Sequence, residues 1–292
     1  MKCYFMQRTK CDKNGDYKIY PCGHCAACRK NDATSWGLRS YFEARQFSSS
    51  SFLTLTYEDD CLLPSTLPDF AGNLSKSHIK DFTKKFAYYH KSPYRYFIGA
   101  EYGDTTNRPH YHCVLFGVDI TSPAFYDKEW IQTKNGYNCM CKAWPKGLCF
   151  LRPLASSDCF YSSKYSTKFT ENDLKRISSA GMQPPFRVMS RMPGLGYNYF
   201  KEHQEEILGR GYIRFKGHKI RIPRYYYDKV LPVGSQERED YSYNRRVFYK
   251  DFSDKEYKQY EQYVGKGKQY SSWYYLNNAL GEQQEINSRK GG

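Results

Sequence analysis

The densest chemistry in the sequence lies in the string Arg108-Pro109-His110-Tyr111-His112-Cys113-Val114-Leu115-Phe116. On an extended chain, residues i and i+2 share a face. His110 and His112 therefore point one way with Val114 and Phe116, and Tyr111 and Leu115 point the other. Two imidazoles so placed can share a metal ion. Glu101 stands nine residues before His110, and a hairpin turning through residues 103–107 would bring its carboxylate beside both rings. A His, His, Glu set with open positions suits Mg2+ or Mn2+ held also by a phosphate and water, whereas a closed Zn2+ site would need a fourth protein ligand.

A second group is Tyr161-Ser162-Ser163-Lys164-Tyr165-Ser166-Thr167-Lys168. In a helix, Tyr161 and Tyr165 share a face at i, i+4, with Lys164 and Lys168 each three residues beyond a tyrosine. A phenol of pKa about 10 is a poor nucleophile at neutral pH unless cations or a metal-polarised phosphate assist it, and these lysines offer that help. The third group is Cys22-x2-Cys25-x2-Cys28, with Cys3 and Cys11 nearby. Three or four of these thiols, with His24 as a further candidate, could close a tetrahedral Zn2+ site, and the spacing also fits iron–sulfur ligation. Cys139, Cys141 and Cys149 could form another site but lack an evident fourth ligand.

Periodicity supplies the elements that must position these groups. Residues 1–30 form a Cys-rich lobe expected to be dominated by loops. Helical spacing covers 30–47, and alternation marks a strand over 52–57. Ser77 can cap a helix carrying Ile79, Phe82, Phe86 and Tyr89 that ends before Pro93. Strands over 94–102 and 110–116 follow, joined as a hairpin, then an insertion over 118–153, and a helix over 158–170. Strands linked by a hairpin rather than by βαβ crossovers imply an α+β fold with an antiparallel central sheet and flanking helices. The expected divisions are 1–30, a core over 31–175, and a C-terminal extension over 176–292, in which 197–208 is helical and 212–221 a hairpin.

Composition narrows the partner. Lys and Arg number 45 against 30 Asp and Glu in 292 residues, a net charge of +15, and 30 tyrosines raise the aromatic share to 18%. With a pI near 9.2 and a mean hydropathy of −0.82, the chain is not an integral membrane protein, and its basic excess points to nucleic acid. Aromatic rings suit stacking on unpaired bases while basic side chains follow the phosphates. Residues 235–292 hold ten basic and nine acidic side chains, so +14 of the charge lies in residues 1–234 and the nucleic-acid surface is expected there. No apolar signal segment opens the chain, which places the eleven cysteines in a reducing cytosol.

Taken in order, Phe52-Leu53-Thr54-Leu55-Thr56-Tyr57, the His110/His112 string and the Tyr161–Lys168 group resemble the three motifs of rolling-circle replication initiators of the HUH endonuclease superfamily. More narrowly, the chain resembles the replication initiators of single-stranded DNA microviruses of the gokushovirus type. Pro21-Cys22-Gly23-His24-Cys25, Gly99-Ala100-Glu101-Tyr102-Gly103 and Ser190-Arg191-Met192-Pro193-Gly194 also look like family segments, so the likeness runs over residues ~20 to ~230. The resemblance implies a ferredoxin- or RRM-like α+β core. It implies a divalent metal, Mg2+ or Mn2+, on His110, His112 and Glu101, and attack by Tyr161 or Tyr165 on a scissile phosphate. Lys164 and Lys168 would stabilise phosphate or phenolate charge, and these two with Arg108 and Arg191 would contact DNA. The implied partners are single-stranded or supercoiled origin DNA and a host helicase and polymerase, with no membrane, in a bacterial host cytoplasm. The chain contains no GxxxxGK[ST] helicase segment. Two rival readings are a non-catalytic single-stranded nucleic-acid binder with a structural His pair, and an HUH relaxase or transposase.

Overall fold

The computed structural model describes residue 3, residues 7–8, 19–125, 130–164 and 168–243. In chain order the described elements are β1 (Gln7–Arg8), β2 (Ile19–Tyr20), α1 (Ala26–Ala44), β3 (Ser50–Leu55), α2 (Lys76–His90), β4 (Arg95–Tyr102), β5 (Pro109–Phe116) and β6 (Ile131–Thr133). They continue with β7 (Gly136–Cys141), β8 (Trp144–Pro153), α3 (Ser156–Lys164), α4 (Glu171–Ser179), β9 (Phe186–Met189), α5 (Tyr197–Glu202), α6 (Gln204–Arg210), β10 (Ile213–Phe215), β11 (His218–Ile220) and α7 (Arg224–Val230). The chain divides into two compact units, Asp32–Gly196 and the combination of Met1–Asn31 with Tyr197–Gly292.

In residues 32–196 seven strands make one antiparallel sheet in the order β6-β7-β8-β3-β5-β4-β9. The expected α+β architecture with flanking helices is what forms. Period-2 alternation sorts side chains onto two faces. Leu53, Leu55, Ile98, Tyr111, Cys113 and Leu115 occupy one face and join α2 residues Ile79, Phe82 and Phe86 in the main core. Phe52, Phe97, Val114 and Phe116 occupy the other and pack with Leu195 and Trp36. α2 forms because its apolar residues recur at three- and four-residue spacing and Ser75 Oγ accepts the His78 N–H at 3.2 Å. That cap lies two residues before the expected Ser77. Lys91 ends the helix in the left-handed region at φ 64°.

Four other expectations are corrected. The 118–153 stretch is not an insertion outside the sheet: β6, β7 and β8 extend it, with β8 paired directly to β3. The span 158–170 is not one helix: α3 covers Ser156–Lys164, Thr170 is extended, and a new helix, α4, starts at Glu171 behind a Thr170–Asp173 capping box. The loop-dominated lobe gives way to helix earlier than expected, since α1 begins at Ala26, inside the CxxCxxC string. The helix expected over 197–208 is two, α5 and α6, divided at His203.

The other unit contains the β1–β2 ladder, the first turn of α1, and α5 to α7 with the β10–β11 hairpin. Phe200 stacks on Tyr226 at 4.6 Å between ring centroids. Both side chains are fully buried. Among the described residues no helix is long and apolar enough to cross a membrane.

Candidate active site

The β4–β5 hairpin sets the site. Its register pairs Glu101 with His110 and Gly99 with His112, closed by the Gly103 N–H donating to the Arg108 carbonyl at 2.9 Å. All three metal candidates thus reach the face shared with Phe52 and Val114. His110 Nε2 and His112 Nε2 lie 2.5 and 3.0 Å from the same oxygen, Glu101 Oε1. The three ligand atoms fall within 4.8 Å of one another. Glu101 and His112 are buried at 4% and 5% exposure.

The remaining ring nitrogens are tied down. His110 Nδ1 donates to the Arg108 carbonyl at 3.2 Å, and His112 Nδ1 lies 3.2 Å from Thr54 Oγ1. A ring whose Nδ1–H is committed to a carbonyl can present a lone pair at Nε2, the arrangement that metal-binding histidines use. Burial would raise the Glu101 carboxyl, but hydrogen bonds from His110 and His112 outweigh it and hold the group below the usual carboxylate range. Burial lowers His112, partly opposed by Glu101, which favours the neutral ring that a cation needs. Glu101 Oε2 is buried with no hydrogen-bond partner among the described residues. A buried orphan carboxylate oxygen is costly, and a cation between the two imidazoles and the carboxylate would satisfy it, so the donor set fits a divalent ion.

α3 brings the phenol. Asp158, 2% exposed, accepts the Ala155 N–H at 2.8 Å and pairs with Arg152 at 2.6 Å, fixing the start of the helix against β8. One turn on, the Tyr161 ring stands edge-on to His112 at 5.3 Å and to Phe52 at 6.2 Å. Tyr161 is 47% exposed. Two glycines permit this close approach. A Cβ on Gly99 would lie 2.6 Å from the Ser162 carbonyl oxygen, and one on Gly37 of α1 would lie 2.5 Å from the Phe160 ring.

The other expected residues are placed unevenly. Tyr165 lies outside the described residues, as does Cys11. Lys164 is exposed at the last position of α3. Lys168 is not in α3: its ammonium pairs with Asp104 and donates to the Tyr102 carbonyl, both at 2.5 Å. It therefore braces the turn after Glu101 and lowers the Asp104 carboxyl, with smaller contributions from His110 and Lys164. Arg108 donates to the Tyr57 carbonyl at 2.6 Å and pairs with Asp59 at 2.7 Å. Arg191 is exposed, following Ser190, which bonds back to Tyr96. Five residues separate Tyr96 from Glu101, or about 17 Å of strand, so Arg191 sits at the opposite end of β4 from the histidines.

Cys139, Cys141 and Cys149 are buried in the main core, and among the described residues they do not form a metal-competent cluster. Cys3, Cys22, Cys25 and Cys28 do form one, in the other unit.

The sequence reading missed the residues of β8. A cleft of about 490 Å3 opens over His112 and Tyr161, with Thr54, Phe52, Phe150 and Arg152 in its wall. Arg152 lies over the Phe52 ring at 4.7 Å. The signal was present: Leu148, Phe150 and Arg152 alternate with the buried Cys149 and Leu151, a period-2 pattern.

A family model for replication-associated proteins of the ORF2 type matches residues 50–170, the span that contains every element of this site. The chain is 27% identical over 232 residues to the replication-associated protein ORF2 of Spiroplasma virus 4, covering 74% of this chain and 69% of that protein. It is 26% identical over 226 residues to the replication-associated protein VP4 of Bdellovibrio phage phiMH2K, covering 72% and 66%. Against the replication-associated protein ORF4 of Chlamydia phage 1 it is 24% identical over 230 residues, covering 75% and 55%. The match thus spans about two-thirds of the first two relatives and little more than half of the third. The resemblance to microvirus replication proteins is borne out. No solved structure matches.

Proposed function

We propose that this chain, a relative of the microvirus replication-associated proteins, starts rolling-circle DNA replication as a metal-dependent, site-specific endonuclease and ligase acting on single-stranded origin DNA. The observation that carries the reading is one sheet face on which Glu101, His110 and His112 converge with the Tyr161 ring 5.3 Å from His112. Glu101, His110 and His112 would hold Mg2+ or Mn2+. When bound, such an ion supplies Lewis-acid polarisation of a phosphate, an effect of several kcal/mol.

The chain's own groups do the rest. The Tyr161 oxygen attacks phosphorus in line and the P–O3′ bond breaks. The phenol proton is given up and a proton is taken up at the departing 3′-oxygen. The products are a 5′-phosphotyrosine and a free 3′-OH that a host polymerase could extend. Retention of the ester lets a later 3′-OH attack it and rejoin the strand. Tyr165 would be the second nucleophile in a two-tyrosine cycle. Arg152, in the cleft wall, is placed to meet phosphate charge, while Phe52 and Phe150 offer rings for unpaired bases. Lys164 at the exposed end of α3 can follow the backbone, whereas Lys168 and Arg108 act mainly by bracing the ends of β4 and β5. A host helicase would open the duplex, and the setting is the bacterial host cytoplasm.

The test uses a randomised single-stranded oligonucleotide pool labelled at the 3′ end, because the 3′ fragment is the one left on the protein. A labelled, denaturant-resistant adduct is expected with Mn2+ or Mg2+, abolished by EDTA and restored by added metal. Unchanged adduct in EDTA would remove the metal from the reading. Binding without any adduct would favour the non-catalytic binder.

A further inference from the structure

We propose that Cys3, Cys22, Cys25 and Cys28 hold one structural Zn2+, separate from the Glu101–His110–His112 centre and different from it in chemistry. The four sulfurs lie within 4.8 Å of one another. Two edges of the set, Cys22–Cys28 and Cys3–Cys25, are 3.9 Å Sγ to Sγ. A tetrahedron built on Zn–S bonds of about 2.3 Å has edges of about 3.8 Å, so the thiols already stand at the spacing one zinc ion requires. The same spacing leaves no room for an iron–sulfur cluster inside the set, and 3.9 Å is nearly twice the ~2.05 Å of a disulfide. None of the four cysteines is in a disulfide.

Two further observations point to a bound cation. The Cys22 N–H donates to Cys3 Sγ at 3.2 Å and the Cys25 N–H to Cys22 Sγ at 3.4 Å. Such donors stabilise sulfur that carries negative charge, and thiolate is the form that ligates. The local cluster also has no larger apolar side chain: its buried members are Cys25, Ala27 and Cys28, with Cys3 and Cys22 packed against them. A lobe with so little apolar area to bury needs a staple. His24, the other candidate from the sequence, is exposed and outside the set.

Binding is balanced without redox change: four S–H protons are released as four Zn–S bonds form. The resulting Zn(Cys)4 centre carries a charge of −2. Residues 1–31 hold seven Lys and Arg against two Asp, and Cys28 lies in the first turn of α1, whose N-terminal dipole favours negative charge.

The test is metal content and spectroscopy of the full-length reduced protein, not its activity. One equivalent of zinc is expected after desalting, retained in a His110→Ala/His112→Ala variant and lost in Cys22→Ser/Cys28→Ser. Replacement by Co2+ should give the visible bands of tetrahedral Co(II) with a thiolate-to-cobalt charge-transfer band in the near ultraviolet. Should the cysteine variant fail to fold, the cobalt spectrum of the unmodified chain decides by itself. Zinc at buffer background with no thiolate–cobalt band, zinc retained in the double serine variant, or a brown iron–sulfur chromophore would each overturn the proposal. Because none of these readouts involves DNA, their failure leaves the nicking reading standing.

Discussion

Gly99→Ala should separate metal binding from nucleophilic attack. Gly99 faces His112 across β4 and β5, and α3 passes so close that an added Cβ would meet the Ser162 carbonyl oxygen at 2.6 Å. Ordinary contact begins at 3.4 Å, so α3 must retreat by the difference, about 0.8 Å. The obstacle is backbone, which cannot rotate away, and Tyr161 is the neighbouring residue. A displacement near 1 Å at a reacting group costs on the order of 10²-fold in rate, or about 2.7 kcal/mol of barrier. The histidines and Glu101 keep their places on the strands, so Mn2+ affinity should change little. The assay is the single-turnover rate of covalent attachment to a 3′-labelled oligonucleotide, with Mn2+ titrated calorimetrically and circular dichroism confirming the fold. Gly37→Ala, pressing on the Phe160 ring from α1, should show the same defect in milder form, because a ring can tilt. A folded Gly99→Ala protein that attaches DNA at the original rate would refute the claim that α3's closeness positions the phenol.

Thr54→Val removes the group 3.2 Å from His112 Nδ1 and should weaken Mn2+ binding by roughly 10- to 100-fold; unchanged calorimetric affinity would show that Thr54 does not orient the ring. Arg152→Ala strips the buried Asp158 of its ion partner and should cost about 3 kcal/mol, the low end for such a pair, because the Arg152 side chain is 25% exposed. Arg152→Ala/Asp158→Asn should recover much of that loss in urea melts while still binding single strands weakly; equal stability of the single and double variants would contradict the pairing argument. Burial lowers His78 and His90 below the ordinary 6.5. Once pH drops under about 6.5 the unfolded chain therefore binds more protons than the folded one, and stability falls by up to ~1.4 kcal/mol per pH unit for each. Tm of the metal-free protein should accordingly be lower at pH 5.5 than at 7.5, and a level or rising Tm would contradict it.

The His face was legible because strand periodicity is strict: once 110–116 is extended, His110 and His112 must share a side, and a short turn leaves Glu101 opposite His110. α2 was legible for the same reason at helical spacing, with only its cap displaced from Ser77 to Ser75. β8 was harder to read because its alternation lies among cysteines that suggested a metal site, and so Arg152 and Phe150 went unnoticed. The separate role of Lys168 depends on a tertiary partner, Asp104, lying 64 positions earlier in the chain. Gly37 and Gly99 carry no local signal of their importance. What makes them matter is a helix that arrives from a distant part of the chain.

Mapping the nucleotide-bearing peptide tests the central claim most directly. Trypsin cuts after Lys164, so Tyr161 and Tyr165 fall on different peptides. After reaction with the labelled single strand in Mn2+, the nucleotide should ride on the peptide that ends at Lys164, through Tyr161, and Tyr161→Phe should remove it from that peptide. Nucleotide found only on residues 165–168, or on no tyrosine at all, would contradict the placement of Tyr161 as the attacking group.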